Sequence, residues 1–265
     1  MRILFIGDIV SRLGRAAVGS FLPSLRKSDR VGLVVANVEN LAGGRGATRE
    51  KVEEVLGCGV DFCTSGDHIF FLPKFRDEIE HLPVLRPANY PEDLPGKGFE
   101  ILDLGREKVL LVNLLGTSVG GENVACPFRA IDRILAEWGS GVDATIVDFH
   151  ADNTSERRAL GFYLDGRVTA VFGTHTHVPS ADAQILPRGT AYVTDVGMCG
   201  AQNSVLGVKK EIIIERFKYP YRQRFEWVKK GPAVFNSVLV EVGEDGLAQS
   251  INRIDRILRR GGDRL

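Results

Sequence analysis

Short apolar runs rich in β-branched residues alternate along this chain with longer segments whose apolar positions recur at helical spacing. Strands are predicted over residues 3–6, 33–38 and 60–64, with helices over 16–26 and 49–56 between them. That alternation implies β-α-β units and an at least partly parallel sheet. The middle of the chain differs. Runs 98–104 and 108–115 flank Gly105-Arg106-Glu107, and runs 183–186 and 190–194 flank Pro187-Arg188-Gly189, as the arms of antiparallel hairpins would. A helix over 128–138 precedes strands at 144–147 and 168–172, and a last strand over 233–242 is expected to pair at an edge. The Arg-rich stretch 251–265 is expected to form a peripheral surface helix that frays. No repeat or low-complexity linker divides the pattern, so residues 1–265 are expected to form a single α/β domain, a sandwich of two mixed β-sheets flanked by helices.

Composition narrows the partners. Lys and Arg number 34 and Asp and Glu number 34, for a formal net charge of zero. The chain as a whole therefore has no general attraction for a polyphosphate or an anionic bilayer, and polymeric nucleic acid is not indicated. The opening run Arg2-Ile3-Leu4-Phe5-Ile6-Gly7 meets Asp8 too soon for a secretory segment. The run 109–115 falls far short of the roughly 20 residues of a membrane helix. A cytoplasmic location without membrane attachment is expected. Cys58, Cys63, Cys126 and Cys199 form no C-x-x-C pair and are too sparse for a disulfide framework, which suits reduced, mostly buried thiols.

Candidate chemistry lies in what ends each apolar run. The first stops at Asp8, the second at Glu39-Asn40, the third at Asp67-His68, and two later ones at His150 and at His175-Thr176-His177. Ligands of open α/β sheets collect beyond the carboxyl ends of strands, so these endings could share one cleft. Singly, each residue has a turn, cap or hydrogen-bonding explanation. Together, three carboxylates, an amide and four imidazoles would need counter-charge, which metal ions supply. Oxygen and imidazole ligands without thiolate suit manganese, iron or zinc, and so many candidates suit two ions about 3.5–4 Å apart.

The ordered set Gly7-Asp8, Glu39-Asn40, Gly66-Asp67-His68, His150 and Gly173-Thr174-His175-Thr176-His177 resembles the calcineurin-like metallophosphoesterase superfamily. Within it the chain is most similar to the YmdB-type bacterial phosphodiesterases acting on 2′,3′-cyclic nucleotides. The stretches 1–8, 39–44, 174–182 and 195–200 extend that likeness over nearly the whole chain. The resemblance implies one ion held by Asp8, Glu39, Asn40 and His177, and a second held by Glu39 as bridge, Asp67, His150 and His175. Iron or manganese is expected ahead of zinc. His68 would lie beyond the ions and stabilise the phosphate or protonate the leaving oxygen. Val10 stands where the wider superfamily usually has histidine, an absence the YmdB branch shares. Two positions depart from the branch: Asp67 replaces the asparagine of G-N-H, and Ser11 replaces a glycine, which is expected to shift a turn near the site.

The chemistry expected from this set is attack of a metal-bridging hydroxide on phosphorus, with His68 assisting departure of the alkoxide. The substrate would be a small phosphate ester, a 2′,3′-cyclic nucleotide above all. The alternatives are a phosphomonoesterase and a regulatory metal- or nucleotide-binding protein whose activity Asp67 has weakened. Homo-oligomerisation stays open. Arg12 and Arg15 could meet either an anionic substrate or solvent. His81, at a helix end, reads as a surface residue. The glycine-rich segment 116–123 is expected as a rim over the cleft and lacks the Gly-Lys-Ser/Thr ending of a P-loop.

Overall fold

In the computed structural model, which describes residues 1–221 and 223–259, two mixed sheets lie face to face with helices on their outer surfaces. The first sheet has the order Ala248–Arg253, Ser237–Val242, Arg2–Ile6, Leu33–Asn37, Phe62–Thr64, the last three being parallel. The second runs Phe99–Asp103, Lys108–Leu115, Ala144–His150, Ala170–Thr174, Ala191–Val193, Gln184–Ile185, with four parallel strands at its centre. Both expected hairpins form, with Asp103 opposite Lys108 and Ile185 opposite Ala191. Among the described residues no helix is long and apolar enough to cross a membrane.

The two-residue period of the strands decides which layer each side chain enters. Ile3, Phe5, Leu33 and Val35 point into the space between the sheets and meet Leu111, Ile146, Phe172 and Val193. The Phe5 and Phe172 rings lie 4.7 Å apart. Leu4, Ile6, Val34 and Ala36 point the other way, onto the helix Ser11–Ser28 through its Ala17, Phe21 and Leu25. The second sheet repeats the arrangement, with Leu110, Val112, Val147 and Val171 packed on Ile131 and Ile134 of the helix Pro127–Trp138 and on Leu160 and Leu164 of the helix Thr154–Leu164.

The C-terminal quarter departs from the sequence reading. The stretch 233–242 breaks at Asn236 into Ala233–Phe235 and Ser237–Val242, and the longer piece lies inside the first sheet, not at its edge. Its outer side is covered by Ala248–Arg253, and Arg256–Leu258 joins Ala233–Phe235 and Gly200–Ala201 in a small third sheet. In place of the helix expected over 251–265 stand the end of the strand Ala248–Arg253 and the strand Arg256–Leu258, and residues 260–265 lie outside those described. Ile251, Ile254 and Leu258 do fall at helical spacing. Antiparallel pairing with a hydrophobic strand that already had one partner overrides that local signal. Ser11 adopts φ 57°, the left-handed conformation in which glycine is favoured, so serine occupies this turn at some backbone cost.

Behind the ends of the second sheet lies a fully buried ion pair. Arg157, 1% exposed, donates to Asp195 Oδ2 at 2.7 Å, to the carbonyls of Thr194 at 2.5 Å and Thr174 at 2.7 Å, and to that of Ala151. One guanidinium thus ties together the segments that leave three neighbouring strands. Removing one partner of such a pair strands the other charge in a dry interior. Arg157→Ala is expected to cost about 3–5 kcal/mol of unfolding free energy, read from urea titration, and a loss below about 1 kcal/mol would refute the clamp.

Candidate metal centre

The parallel strands of both sheets end on the same side of the sandwich, and the residues that follow them meet there. Asp8, Glu39, Asn40 and His150 are buried, whereas Asp67, His68 and His175 are about a quarter exposed and His177 10% exposed. Three overlapping groups have ligand-type atoms within 4.8 Å of one another: Asp67 with His150 and His175, Asp8 with Glu39 and His150, and Glu39 with Asp67 and His68. His150 Nε2 is 3.0 Å from His175 Nδ1, 3.3 Å from Asp67 Oδ1 and 3.5 Å from Glu39 Oε1. On the other side His177 Nε2 lies 3.8 Å from Asp8 Oδ1 and 3.2 Å from the Asn40 amide nitrogen.

The electrostatics of this cluster ask for positive charge. Burial pushes the Asp8 carboxyl up, against the pull of His177 and His150. Burial would also raise Glu39, but the charge of His150 and the hydrogen bonds and charge of His68 outweigh it and hold Glu39 below the usual carboxylate range. Burial disfavours a charged His150, yet Glu39, Asp67 and Asp8 overcome this and raise it to about 10. His175 is lowered to about 4 by burial and by His150. In the protein alone, a charged His150 beside His175 thus does part of the work of a cation. Asp8 Oδ1, Asp67 Oδ1 and His177 Nδ1 are buried without any hydrogen-bond partner. Buried acids with free oxygens, facing imidazole nitrogens, fit divalent ions of the borderline class.

A second layer of polar groups orients the first. Asp148, which burial raises to about 7, accepts hydrogen bonds from Thr64, from Asn37 Nδ2 at 3.0 Å and from Thr174 Oγ1 at 2.7 Å. Because the Thr174 hydroxyl donates to Asp148, its oxygen accepts from His150 Nδ1 at 2.9 Å. His150 Nε2 is then the atom that faces the pocket, where it can carry a proton or a metal. Glu39 is held by the His68 backbone N–H and by His68 Nδ1, both at 3.0 Å, which leaves His68 Nε2 beside Asp67 Oδ2 at 3.5 Å. Gly66 is required by space: a β-carbon there would sit 2.3 Å from Glu39 Oε2 and 2.4 Å from His150 Nε2.

His175 and His177 have φ of 109° and 65°, a conformation side-chain-bearing residues avoid. Thr176 between them is pinned by Asp195 Oδ2, which accepts from its backbone N–H at 3.0 Å and its hydroxyl at 2.7 Å. Asp195 is in turn the partner of Arg157.

The structure therefore brings Asp8, Glu39, Asn40, Asp67, His68, His150, His175 and His177 into one cluster. Arg12 and Arg15 stand elsewhere: Arg12 donates to the Lys229 carbonyl, and Arg15 is buried against Glu54 and the Leu41 carbonyl. His81 is exposed. Cys63 and Cys199 are buried, Cys58 is half-buried and Cys126 exposed, so fewer thiols are buried than expected. The segment expected as a rim forms the short turns Thr117–Gly120 and Gly121–Asn123, its start tied down by Gly116 N donating to the His150 carbonyl and Thr117 to Glu156. The cavity beside the cluster is walled instead by residues 205–208, 213–217 and 225–227. Asn37, Asp148 and Arg157, which the sequence motifs do not include, also shape the site, as do Thr174 and Asp195, which lie within the motifs but without an assigned role. The first two carried a usable signal, a polar residue inside an otherwise apolar strand.

Fold and cluster together define a metallophosphoesterase: a two-sheet sandwich with acids and imidazoles gathered at its strand ends. The chain belongs to the family described as YmdB-like protein, whose model matches residues 4–254. It is 39% identical to a Bacillus subtilis 2′,3′-cyclic-nucleotide 2′-phosphodiesterase over 97% of each chain. A solved Mycoplasma pneumoniae phosphatase superposes with a TM-score of 0.92 at 34% identity, covering 98% of this chain and 95% of that one. A Thermus thermophilus protein of solved structure gives 0.90 at 42% identity over 96% and 98%. The chain is accordingly a phosphoesterase.

Thr174→Val keeps the side-chain volume but orphans Asp148 Oδ1 and His150 Nδ1. An expected loss of about 1–3 kcal/mol, measured by urea titration in chelator, should be largely restored in Thr174→Ser. Equal losses for both variants would show that packing, not the hydroxyl relay, matters.

Proposed function

We propose that this chain hydrolyses small cyclic phosphodiesters, 2′,3′-cyclic nucleotides above all, with two divalent metal ions. Asp8, Glu39, Asn40 and His177 would hold one ion. Glu39, Asp67, His150 and His175 would hold the other, with iron or manganese preferred over zinc. The observation that carries the reading is the overlap of the ligand groups through Glu39 and His150, with Asp8 Oδ1 and Asp67 Oδ1 buried and unpartnered. The substrate class is supported by the name of the B. subtilis relative, whose length this chain matches almost throughout.

When bound, the ions supply a water acidic enough to attack near neutral pH and offset the charge on the phosphoryl oxygens. The chain's own residues do the rest. The Thr174 and Asp148 relay aims His150, the strained loop aims His175 and His177, and Gly66 leaves room for Glu39 and His150 beside its backbone. His68 is the proton donor. In the protein without ions, burial disfavours its charge, but the hydrogen bond and charge of Glu39 prevail and raise it. With Nδ1 engaged on Glu39, Nε2 delivers the proton to the departing ribose oxygen.

Asp67 replaces a neutral amide with an acid, which removes one unit of residual positive charge from the centre. It should tighten metal binding and lower the ions' pull on water and phosphate. Phosphomonoesterase activity is the second reading, supported by the M. pneumoniae structure being described as a phosphatase. Parallel assays on 2′,3′-cyclic AMP, 3′,5′-cyclic AMP and an aryl phosphate separate the two.

His68→Ala should lower kcat about a hundredfold or more while leaving metal stoichiometry intact. Loss of metal in that variant would reassign His68 as a ligand. Asp67→Asn should weaken metal binding and raise turnover per loaded site, compared by elemental analysis and single-substrate kinetics. No change in either quantity would remove the charge argument.

A further inference from the structure

The metal cluster occupies only one side of a cavity of about 380 Å³. Glu39, Asn40, His68, His175 and His177 form its polar end. The opposite end is built from Leu206, Ile213, Phe217, Phe225 and Trp227, with the guanidinium groups of Arg45 and Arg216 beside them. Three features set this wall apart from ordinary surface. Trp227 is seated so closely on Gly44 that a β-carbon there would lie 2.1 Å from its ring, and a β-carbon on Gly207 would lie 3.0 Å from it, so the indole is held in place. Arg216 and Arg45 lie 5.0 Å and 5.7 Å from the Phe225 ring, and Arg45 is also near enough to His68 to oppose its charge, so two cations line the cavity. Phe217 is 86% exposed at the rim, and Leu206 is 41% exposed. Leaving a phenyl ring in water is unfavourable unless something covers it.

We propose that this apolar end is the base-recognition subsite of the enzyme, taking the nucleobase by stacking against Trp227 and Phe217 while the phosphodiester lies at the metal cluster. The inference rests on the cyclic-nucleotide reading and adds to it what sets substrate preference. In a 2′,3′-cyclic nucleotide the base is attached to the sugar carbon next to the cyclic phosphate. That His68 and Trp227 line one cavity matches that connectivity. Its volume falls in the ordinary range for small-molecule sites. Among the described residues, the side chains forming the apolar end include no carboxylate, amide or hydroxyl to read the base's hydrogen-bonding edge. Recognition is therefore by ring area, with arginine donors favouring the acceptor atoms of purines. All four 2′,3′-cyclic nucleotides should be accepted, purines ahead of pyrimidines.

Phe217→Ala is the informative variant, because a side chain so exposed contributes little to folding. Its kcat/KM on 2′,3′-cyclic AMP should fall about tenfold through KM, while that on ethylene phosphate, a five-membered cyclic diester without base or sugar, changes less than about twofold. A binding measurement without turnover runs alongside. In a Trp138→Phe background, Trp227 fluorescence should respond saturably to adenosine 3′-monophosphate and not to glycerol 2-phosphate, with the midpoint about tenfold higher once Phe217→Ala is added. Equal responses to both phosphates, or equal kinetic losses on both cyclic diesters, would overturn the subsite. A changed subunit count on size-exclusion chromatography with unchanged KM would do so too, by making Phe217 an interface residue. If neither cyclic diester is turned over by the parent protein, the hydrolase reading fails, while the fluorescence titration still decides whether the base is bound.

Discussion

The structure is organised around one electrostatic constraint: acids and imidazoles are crowded where water reaches them poorly. Asp8 and Glu39 are buried, Asp67 is a quarter exposed, and four imidazoles pack around them. Such a set is unstable without positive charge between its members. In the protein alone the demand falls on His150, driven to about 10, and on the raised His68. The same demand makes the cluster a receptor for cations, and the buried Oδ1 atoms of Asp8 and Asp67, which accept no hydrogen bond, face the imidazoles of His177 and His150.

Holding that cluster open requires rigidity around it. Two successive left-handed histidine conformations, at His175 and His177, each cost on the order of 1–3 kcal/mol and persist only because their surroundings over-determine them. The surroundings are named residues: Asp195 pins Thr176, Arg157 pins Asp195, and Arg157 also gathers the carbonyls of Ala151 and Thr174. The buried ion pair is thus less a source of net stability than a device fixing the direction of two imidazoles. Asp148 serves the neighbouring strand in the same way, through Thr174 to His150.

On the reading proposed above, chemistry and selectivity are drawn from different parts of the chain. The clustered acids and imidazoles follow strands of the two large sheets. The apolar wall of the cavity comes from the segments 205–217 and 225–227, which belong to neither large sheet and tolerate variation more easily.

Much of this was legible in the residues themselves. Alternating apolar runs announced the parallel strands and the helices over them, and the polar residue ending each run announced the cluster, because strand ends in α/β sheets are where ligands gather. The order of Asp8, Glu39-Asn40, Asp67-His68, His150 and His175-Thr176-His177 was enough to point to the family. Pairing partners were not legible. Residues 251–258 carry helical spacing but lie as strands, since a sheet with an open edge offers hydrogen bonds and burial that local preference cannot anticipate. Nor could the sequence disclose that Asp148, Arg157 and Asp195 orient the cluster, or that Trp227 and Phe217 face His68 across a cavity. Those relations join residues far apart in the chain, and only the packed tertiary structure brings them within hydrogen-bonding or stacking distance.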